Sequence, residues 1–80
     1  MGFENDIKLK RFRNAHSDSL EDVREFLDSY EEDYISHKEL INYIRDDSNA
    51  TIASAAGIID VLKIDEYLEG SSIEGYEVKL

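Results

Sequence analysis

The spacing of the apolar residues changes near Ile64, and this change limits the chain to a fold that joins helices to a small sheet. Before that point, apolar side chains recur at every third or fourth position, which is typical of amphipathic helices. After it, in DEYLEGSSIEGYEVKL, they alternate around a Gly-Ser-Ser turn. The sequence therefore predicts a helical body followed by a C-terminal β-hairpin, with Tyr76, Val78 and Leu80 on one of its faces.

Two helices are predicted in the first half of the chain. SDSLEDVREFLDSYEE has Ser19 as a candidate cap and one apolar stripe, formed by Leu20, Val23, Phe26, Leu27 and Tyr30. Next, Tyr34-Ile35 is predicted as a short extended segment. SHKELINYIR then begins with a capping box, in which Ser36 and Glu39 are expected to satisfy each other's backbone N–H groups.

A third helix is predicted from about Asn49 to Lys63, within SNATIASAAGIID and the residues that follow. Its apolar arc consists of Ile52, Ala55, Ala56, Ile58, Ile59 and Leu62. The opposite side is small and nearly uncharged, and it includes Gly57. A glycine inside a helix costs about 1 kcal/mol relative to alanine, so close approach of another backbone is expected there.

Charge divides the chain into two parts. Residues 1–16 carry four basic and two acidic groups, whereas residues 17–80 carry five basic and seventeen acidic groups, within a net charge of −10. The basic arm, residues 1–16, is predicted either as a strand or as an ordered tail that packs Ile7, Leu9 and Phe12 on the domain. The acidic remainder repels a phosphate backbone on average.

Composition excludes several classes of site. The chain has no cysteine, which rules out disulfides and thiolate zinc sites. We find no phosphate-binding loop, dinucleotide fingerprint or nucleophile elbow, so neither catalysis nor a cofactor nor a metal is expected. No apolar run reaches the roughly 18 residues of a membrane span. A cytoplasmic protein without membrane contact is therefore expected.

The order of predicted elements resembles a winged helix-turn-helix domain. This resemblance covers residues 17–80 and rests on Tyr34-Ile35, SHKELINYIR, NATIASAAGIIDVLK and IDEYLEGSSIEGYEVKL. It implies an α+β fold with three helices and a C-terminal hairpin wing. It also implies that the third helix enters the DNA major groove while the wing contacts the backbone. The sequence departs from this pattern in its acidic wing, formed by Asp65, Glu66, Glu69, Glu74 and Glu77.

Two groups of residues are candidates for nucleic-acid binding. Asn49, Thr51 and Ser54 are the polar positions at the start of the third helix, although a cap and solvated hydroxyls would explain them equally. The arm contributes the cations, which could instead pair with the acidic body of the same chain. They are Lys8, Lys10, Arg11 and Arg13.

Two further surfaces are candidates for protein binding. The first is the acidic and aromatic segment Tyr30, Glu31, Glu32, Asp33 and Tyr34. The second is the smooth helix side at Ala50, Ala53 and Gly57, which suits a homodimer contact. These features predict a small transcriptional regulator that binds DNA weakly or through a partner. The alternative is an acidic module, or nucleic-acid mimic, that inhibits a basic protein.

Overall fold

A computed structural model describes residues 6–79 and shows an α+β fold, as the change of apolar spacing predicts. It contains four helices and a three-stranded antiparallel sheet, so the prediction of three helices is wrong. The helices are α1 (Asp6–Ala15), α2 (Ser17–Asp28), α3 (His37–Ser48) and α4 (Ile52–Ile64). The strands are β1 (Tyr34–Ile35), β2 (Leu68–Ser71) and β3 (Gly75–Val78).

The sheet joins the short strand between α2 and α3 to the C-terminal hairpin. Its strand order is β1-β3-β2, and both pairings are antiparallel. Ile35 pairs with Tyr76, and both side chains are buried against the helices. The predicted hairpin is confirmed, although its turn lies at residues 72–74 rather than at Gly-Ser-Ser. Leu80, predicted on the same face as Tyr76, lies outside the described residues.

The additional helix is α1, which replaces the strand considered for the basic arm. The apparent alternation at Ile7 to Lys10 does not lead to a strand, because Leu9 and Phe12, three positions apart, lie on one helix face that packs on the core. Both pack half-buried against the core, while Ile7 is 65% exposed and does not take part. No residue of α1 is fully buried. Within the described part of the arm, residues 6–15 therefore form a helix that packs on the domain through Leu9 and Phe12.

The core lies between α2, α3, α4 and the inner face of the sheet. Because α4 crosses the centre of the molecule, it contributes more buried side chains than any other described element. Ile52 and Ala56, predicted in its apolar arc, are exposed instead. The buried residues are Leu20, Val23, Leu27, Ile35, Leu40, Ile44, Ala55, Ile58, Ile59, Val61, Leu62, Leu68 and Tyr76.

The helix starts differ in detail from the predicted ones. The helix α2 begins at Ser17, so Ser19 lies inside it rather than capping it. Ser36 caps α3, and its hydroxyl oxygen accepts the Glu39 N–H at 3.1 Å. The described hydrogen bonds do not include the reciprocal half of the capping box. The Glu39 carboxylate instead accepts the hydroxyl of Tyr30 at 2.8 Å, a contact that the local motif does not predict.

The C-terminal end of α4 closes in a tight motif that leads into the hairpin. The N–H of Tyr67 donates to the carbonyl of Leu62 at 2.9 Å, and the N–H of Glu66 donates to that of Lys63 at 3.1 Å. This pair of hydrogen bonds is typical of a Schellman motif, which usually places glycine in the left-handed region. Here Glu66 occupies that position with φ 65.

Candidate partner-binding surfaces

A row of three side chains crosses the outer face of the sheet. Tyr34 of β1 pairs with Glu77 of β3, and Glu77 pairs with Glu69 of β2. The neighbouring row points inward, so the period of two along each strand sends these three side chains to solvent. Tyr34 is 51% exposed, and both glutamates are exposed. We call Tyr34, Glu69 and Glu77 the acidic sheet face.

Two like charges stand directly opposite each other on this face. Carboxylates on paired positions of adjacent strands repel, and a pair of this kind usually destabilises a sheet. Lys79 offsets part of the repulsion, since its Nζ lies 3.3 Å from a carboxylate oxygen of Glu69. The Tyr34 hydroxyl donates to the carbonyl of Glu74, which holds the ring against the hairpin. The face is therefore acidic and ordered.

The predicted protein-binding segment Tyr30–Tyr34 leads directly into this face. Glu31, Glu32 and Asp33 are exposed, and the carbonyl of Asp33 accepts the N–H of Val78 at 2.7 Å. Tyr30 differs from its neighbours because its ring is half-buried against the core and its hydroxyl donates to Glu39. That hydrogen bond to a carboxylate raises the pKa of Tyr30 above its ordinary value.

The second predicted protein-binding surface is partly covered by the chain itself. The ring of Phe12 lies on Gly57, so that an added Cβ at that glycine would stand 2.6 Å from Phe12 Cζ. Ala50 is half-buried against the core, and only Ala53 is exposed. The helix that closely approaches Gly57 is thus α1 of the same chain.

One arm cation is held by the acidic body. The guanidinium of Arg13 donates two hydrogen bonds to the carboxylate of Asp65, at 2.7 and 2.5 Å. This interaction lowers the pKa of Asp65 and raises that of Arg13, despite partial burial that opposes both shifts. Arg13 therefore follows the pairing alternative of the sequence analysis. Lys8, Lys10 and Arg11 are exposed on α1.

The polar residues at the start of α4 act as caps of two different helices. Asn49 ends α3 in the left-handed conformation, with φ 55, instead of beginning α4. Thr51 begins α4, and its hydroxyl oxygen accepts the Ser54 N–H at 3.1 Å. The same hydroxyl donates to the Ser54 hydroxyl at 3.2 Å. Local capping thus explains the geometry of Asn49, Thr51 and Ser54, the three polar candidates of this region.

Tyr34 was predicted to bind a partner, and Glu69 and Glu77 were placed in an acidic wing, but their union in one sheet face was not predicted. Alternation in the hairpin predicts that Glu77 and Tyr76 lie on opposite faces of the strand. Nothing in the local sequence indicates that Tyr34, more than forty residues earlier, pairs with Glu77. The partners of Phe12 and Arg13 were missed for the same reason. The contact of Phe12 with Gly57 had one local signal in the sequence, the glycine inside a predicted helix.

Within residues 6–79, no three His, Asp or Glu side chains are arranged to hold a metal ion. The same residues include no helix with the length and apolar character needed to cross a membrane. Comparison of the chain with protein-family models, with curated proteins and with solved structures finds no match. The function proposed below is therefore argued from the structure of this chain alone.

Proposed function

We propose that this chain is a small winged-helix-like regulatory protein that acts by binding a basic protein, such as a component of the transcription machinery. The order α2-β1-α3-α4-β2-β3 is the one that the winged helix-turn-helix resemblance implies, with α1 added before it. The short strand β1 joins the hairpin in one sheet, which supports treating the hairpin as a wing.

The observation that carries this proposal is the row of Tyr34, Glu77 and Glu69. An ammonium or guanidinium group placed on the row would meet two adjacent carboxylates, and so relieve their mutual repulsion. An arginine could also stack on the exposed Tyr34 ring. A basic protein therefore gains from this face, whereas a DNA phosphate would be repelled by it.

The helix α4 supports the same choice of partner. A groove-reading helix needs exposed side chains that reach base edges. In this chain, Thr51 is used as a cap, Gly57 lies under Phe12, and Ala53 has no polar atom to offer. Asp65, at the end of α4, is paired with Arg13. Direct reading of a duplex by α4 is therefore disfavoured in this conformation.

The test compares matched charge variants in a pull-down from native lysate, with and without nuclease. E69Q/E77Q removes the two charges of the acidic sheet face and keeps their shape. E21Q/E25Q removes two exposed charges of α2 and serves as the control. We expect one nuclease-resistant partner that is retained by the wild type and by the control, and is lost with E69Q/E77Q or at high salt. Recovery of DNA alone would contradict the proposal.

One form of this function is nucleic-acid mimicry, in which the chain inhibits a basic protein by occupying its nucleic-acid site. The partner recovered in the pull-down allows this form to be tested. If the acidic sheet face occupies a nucleic-acid site, a duplex will compete with this chain for the purified partner. A partner that binds duplex and chain at the same time would assign the face to docking instead. Both outcomes can be read from fluorescence anisotropy of the labelled chain.

A second candidate function is weak duplex binding through α1, and it is favoured by the exposed basic side chains of that helix. Lys8, Lys10 and Arg11 are exposed on α1 and place three cations on one short helix. A salt titration of labelled duplex tests this function. K8A/K10A/R11A should abolish binding if α1 carries it, and the absence of wild-type binding at low salt would exclude it.

A further inference from the structure

The junction between α1 and α2 is a single residue whose neighbours already form helical hydrogen bonds. His16 has φ −121 and ψ 26, whereas a helix has φ near about −63 and ψ near about −42. Its N–H nevertheless donates to the carbonyl of Phe12 at 3.0 Å, and its carbonyl accepts the N–H of Leu20 at 2.9 Å. Both are the four-residue hydrogen bonds of an uninterrupted helix.

No helix-breaking residue lies at this break, where the rings of Phe12 and His16 are in contact with centroids 4.3 Å apart. The segment NAHSDS contains neither proline nor glycine, and the His16 side chain makes no capping hydrogen bond to α2. A rotation at His16 alone would join α1 and α2 into one helix from Asp6 to Asp28, roughly 34 Å long at the usual rise per residue. That rotation would swing α1 away from the domain.

The described contacts of α1 can be transferred to a second chain. They include the half-buried Leu9 and Phe12, the seat of Phe12 on Gly57 and the ion pair of Arg13 with Asp65. No α1 side chain is fully buried, so its release leaves the core of α2, α3 and α4 intact. A vacated domain would present an uncovered Gly57 and an unpaired Asp65.

We infer that α1 is an exchangeable element, and that a second copy of this chain is the partner that fits the vacated face. In the exchanged dimer each α1 seats its Phe12 on the other copy's Gly57 and its Arg13 on the other copy's Asp65. The described contacts of Leu9, Phe12 and Arg13 are formed again across the two chains, so the hinge conformation and the protein concentration decide between the two states.

Complementary charge reversal tests this inference. In R13E alone and in D65R alone, α1 meets a like charge whether it docks in its own chain or in an identical copy. When the two variants are mixed, exchange pairs the introduced glutamate with the introduced arginine, and the native Arg13 with the native Asp65. Only a heterodimer with exchanged α1 helices restores both pairs.

Size-exclusion chromatography with light scattering should find that the mixture dimerises about tenfold more tightly than either variant alone. Circular dichroism of the separate variants checks that the helices remain folded. A heterodimer that forms in the mixture alone supports exchange. Equal dimerisation of the separate variants, or monomers in every sample at millimolar concentration, overturns it.

Hinge variants of the otherwise native chain give an independent measurement. H16A should strengthen dimerisation roughly tenfold, because two hinges straighten in each dimer and alanine favours the helix more than histidine does. Insertion of Gly-Ser-Gly after His16 should abolish dimerisation, since a long flexible hinge lets α1 fold back on its own domain. Tighter dimerisation of the insertion variant than of H16A would contradict the inference.

Discussion

Phe12 and Gly57 form a contact that has no room for a side chain at position 57, because an added Cβ would lie 2.6 Å from Phe12 Cζ and 2.7 Å from Phe12 Cε2. The glycine that weakens α4 by about 1 kcal/mol relative to alanine is thereby the seat of α1. The glycine therefore lowers the helix stability of α4 at the position where α1 packs against it.

This contact predicts strong coupling between the two positions. In the F12A background, G57A should raise the free energy of unfolding by about 1 kcal/mol, because alanine stabilises α4 and no ring is displaced. In the wild-type background, the same change should displace the ring and lose that gain. Urea unfolding of the double-mutant cycle measures the difference. A53G, on the exposed side of α4, should cost about 1 kcal/mol in both backgrounds and is the matched control.

The Arg13–Asp65 ion pair predicts an acid-sensitive contribution to stability. Because the pKa of Asp65 is lowered in the folded chain, its contribution is fully present above the ordinary aspartate value of 3.8 and is lost as the pH falls through the lowered value. Exposed pairs typically contribute about 0.2–1 kcal/mol, and the side chains here are 37% and 28% exposed. The melting temperatures of the wild type and D65N should differ at pH 7, and the difference should shrink as the pH falls below 3.8. A constant difference would contradict this account.

Asp47 predicts the opposite dependence on pH. Its pKa is raised by desolvation, by a hydrogen bond with Asp22 and by the charge of that carboxylate. A raised pKa means that the folded chain binds a proton more tightly than the unfolded one, so this term favours folding at low pH and is lost as the pH rises through the raised value. D47N should therefore raise the melting temperature at pH 7 but not below pH 3. A lower melting temperature for D47N at pH 7 would show that Asp22 and Asp47 do not oppose each other.

The caps at the α3–α4 turn predict which polar residues can be changed without loss of stability. T51A should cost about 1 kcal/mol and T51S much less, because the hydroxyl oxygen accepts the Ser54 N–H. N49G should be tolerated, since glycine adopts the left-handed conformation of Asn49 freely. Urea unfolding ranks these variants. Loss of duplex binding in N49G without loss of stability would instead restore Asn49 as a nucleic-acid contact.

Glu66 predicts a simple stabilising substitution. A residue with a Cβ in the left-handed region costs roughly 1 kcal/mol, and Glu66 occupies that region within its Schellman motif. E66G should raise the free energy of unfolding by about 0.5–1 kcal/mol, as judged by chemical denaturation. E74G, in the hairpin turn outside the positive-φ positions, is the comparison and should bring no such gain. An unchanged stability for E66G would mean that contacts of the Glu66 side chain offset the cost of its left-handed conformation.

The elements that sequence analysis predicted correctly are those with repeated local signals. Leu20, Val23 and Leu27 mark α2 by their spacing, and the hydroxyl of Ser36 marks the start of α3. Alternation and glycine marked the hairpin. Each of these signals lies within about ten residues of chain, where backbone geometry and hydrogen bonding act directly.

What the sequence did not reveal depends on contacts between distant segments. The helix α1 has one short apolar face, and its partners Gly57 and Asp65 lie more than forty residues away. Glu39 was expected to complete a capping box, yet Tyr30 draws its carboxylate elsewhere. The pairing of Tyr34 with Glu77, and hence the acidic sheet face, follows from the way the helices place β1 beside β3.

The strand β2 lies at an edge of the sheet, and this position gives Glu69 a second role. Strands that end a sheet offer free backbone groups to other chains, and long, flat, uncharged ones promote aggregation. Here the outermost strand of the hairpin has four residues, carries Glu69, and contains Gly70 with φ 141, which departs from flat extended geometry. A second copy that added its own β2 alongside would bring another Glu69 against the first. Lateral growth of the sheet into fibrils is therefore opposed by the same carboxylate that we assign to partner binding.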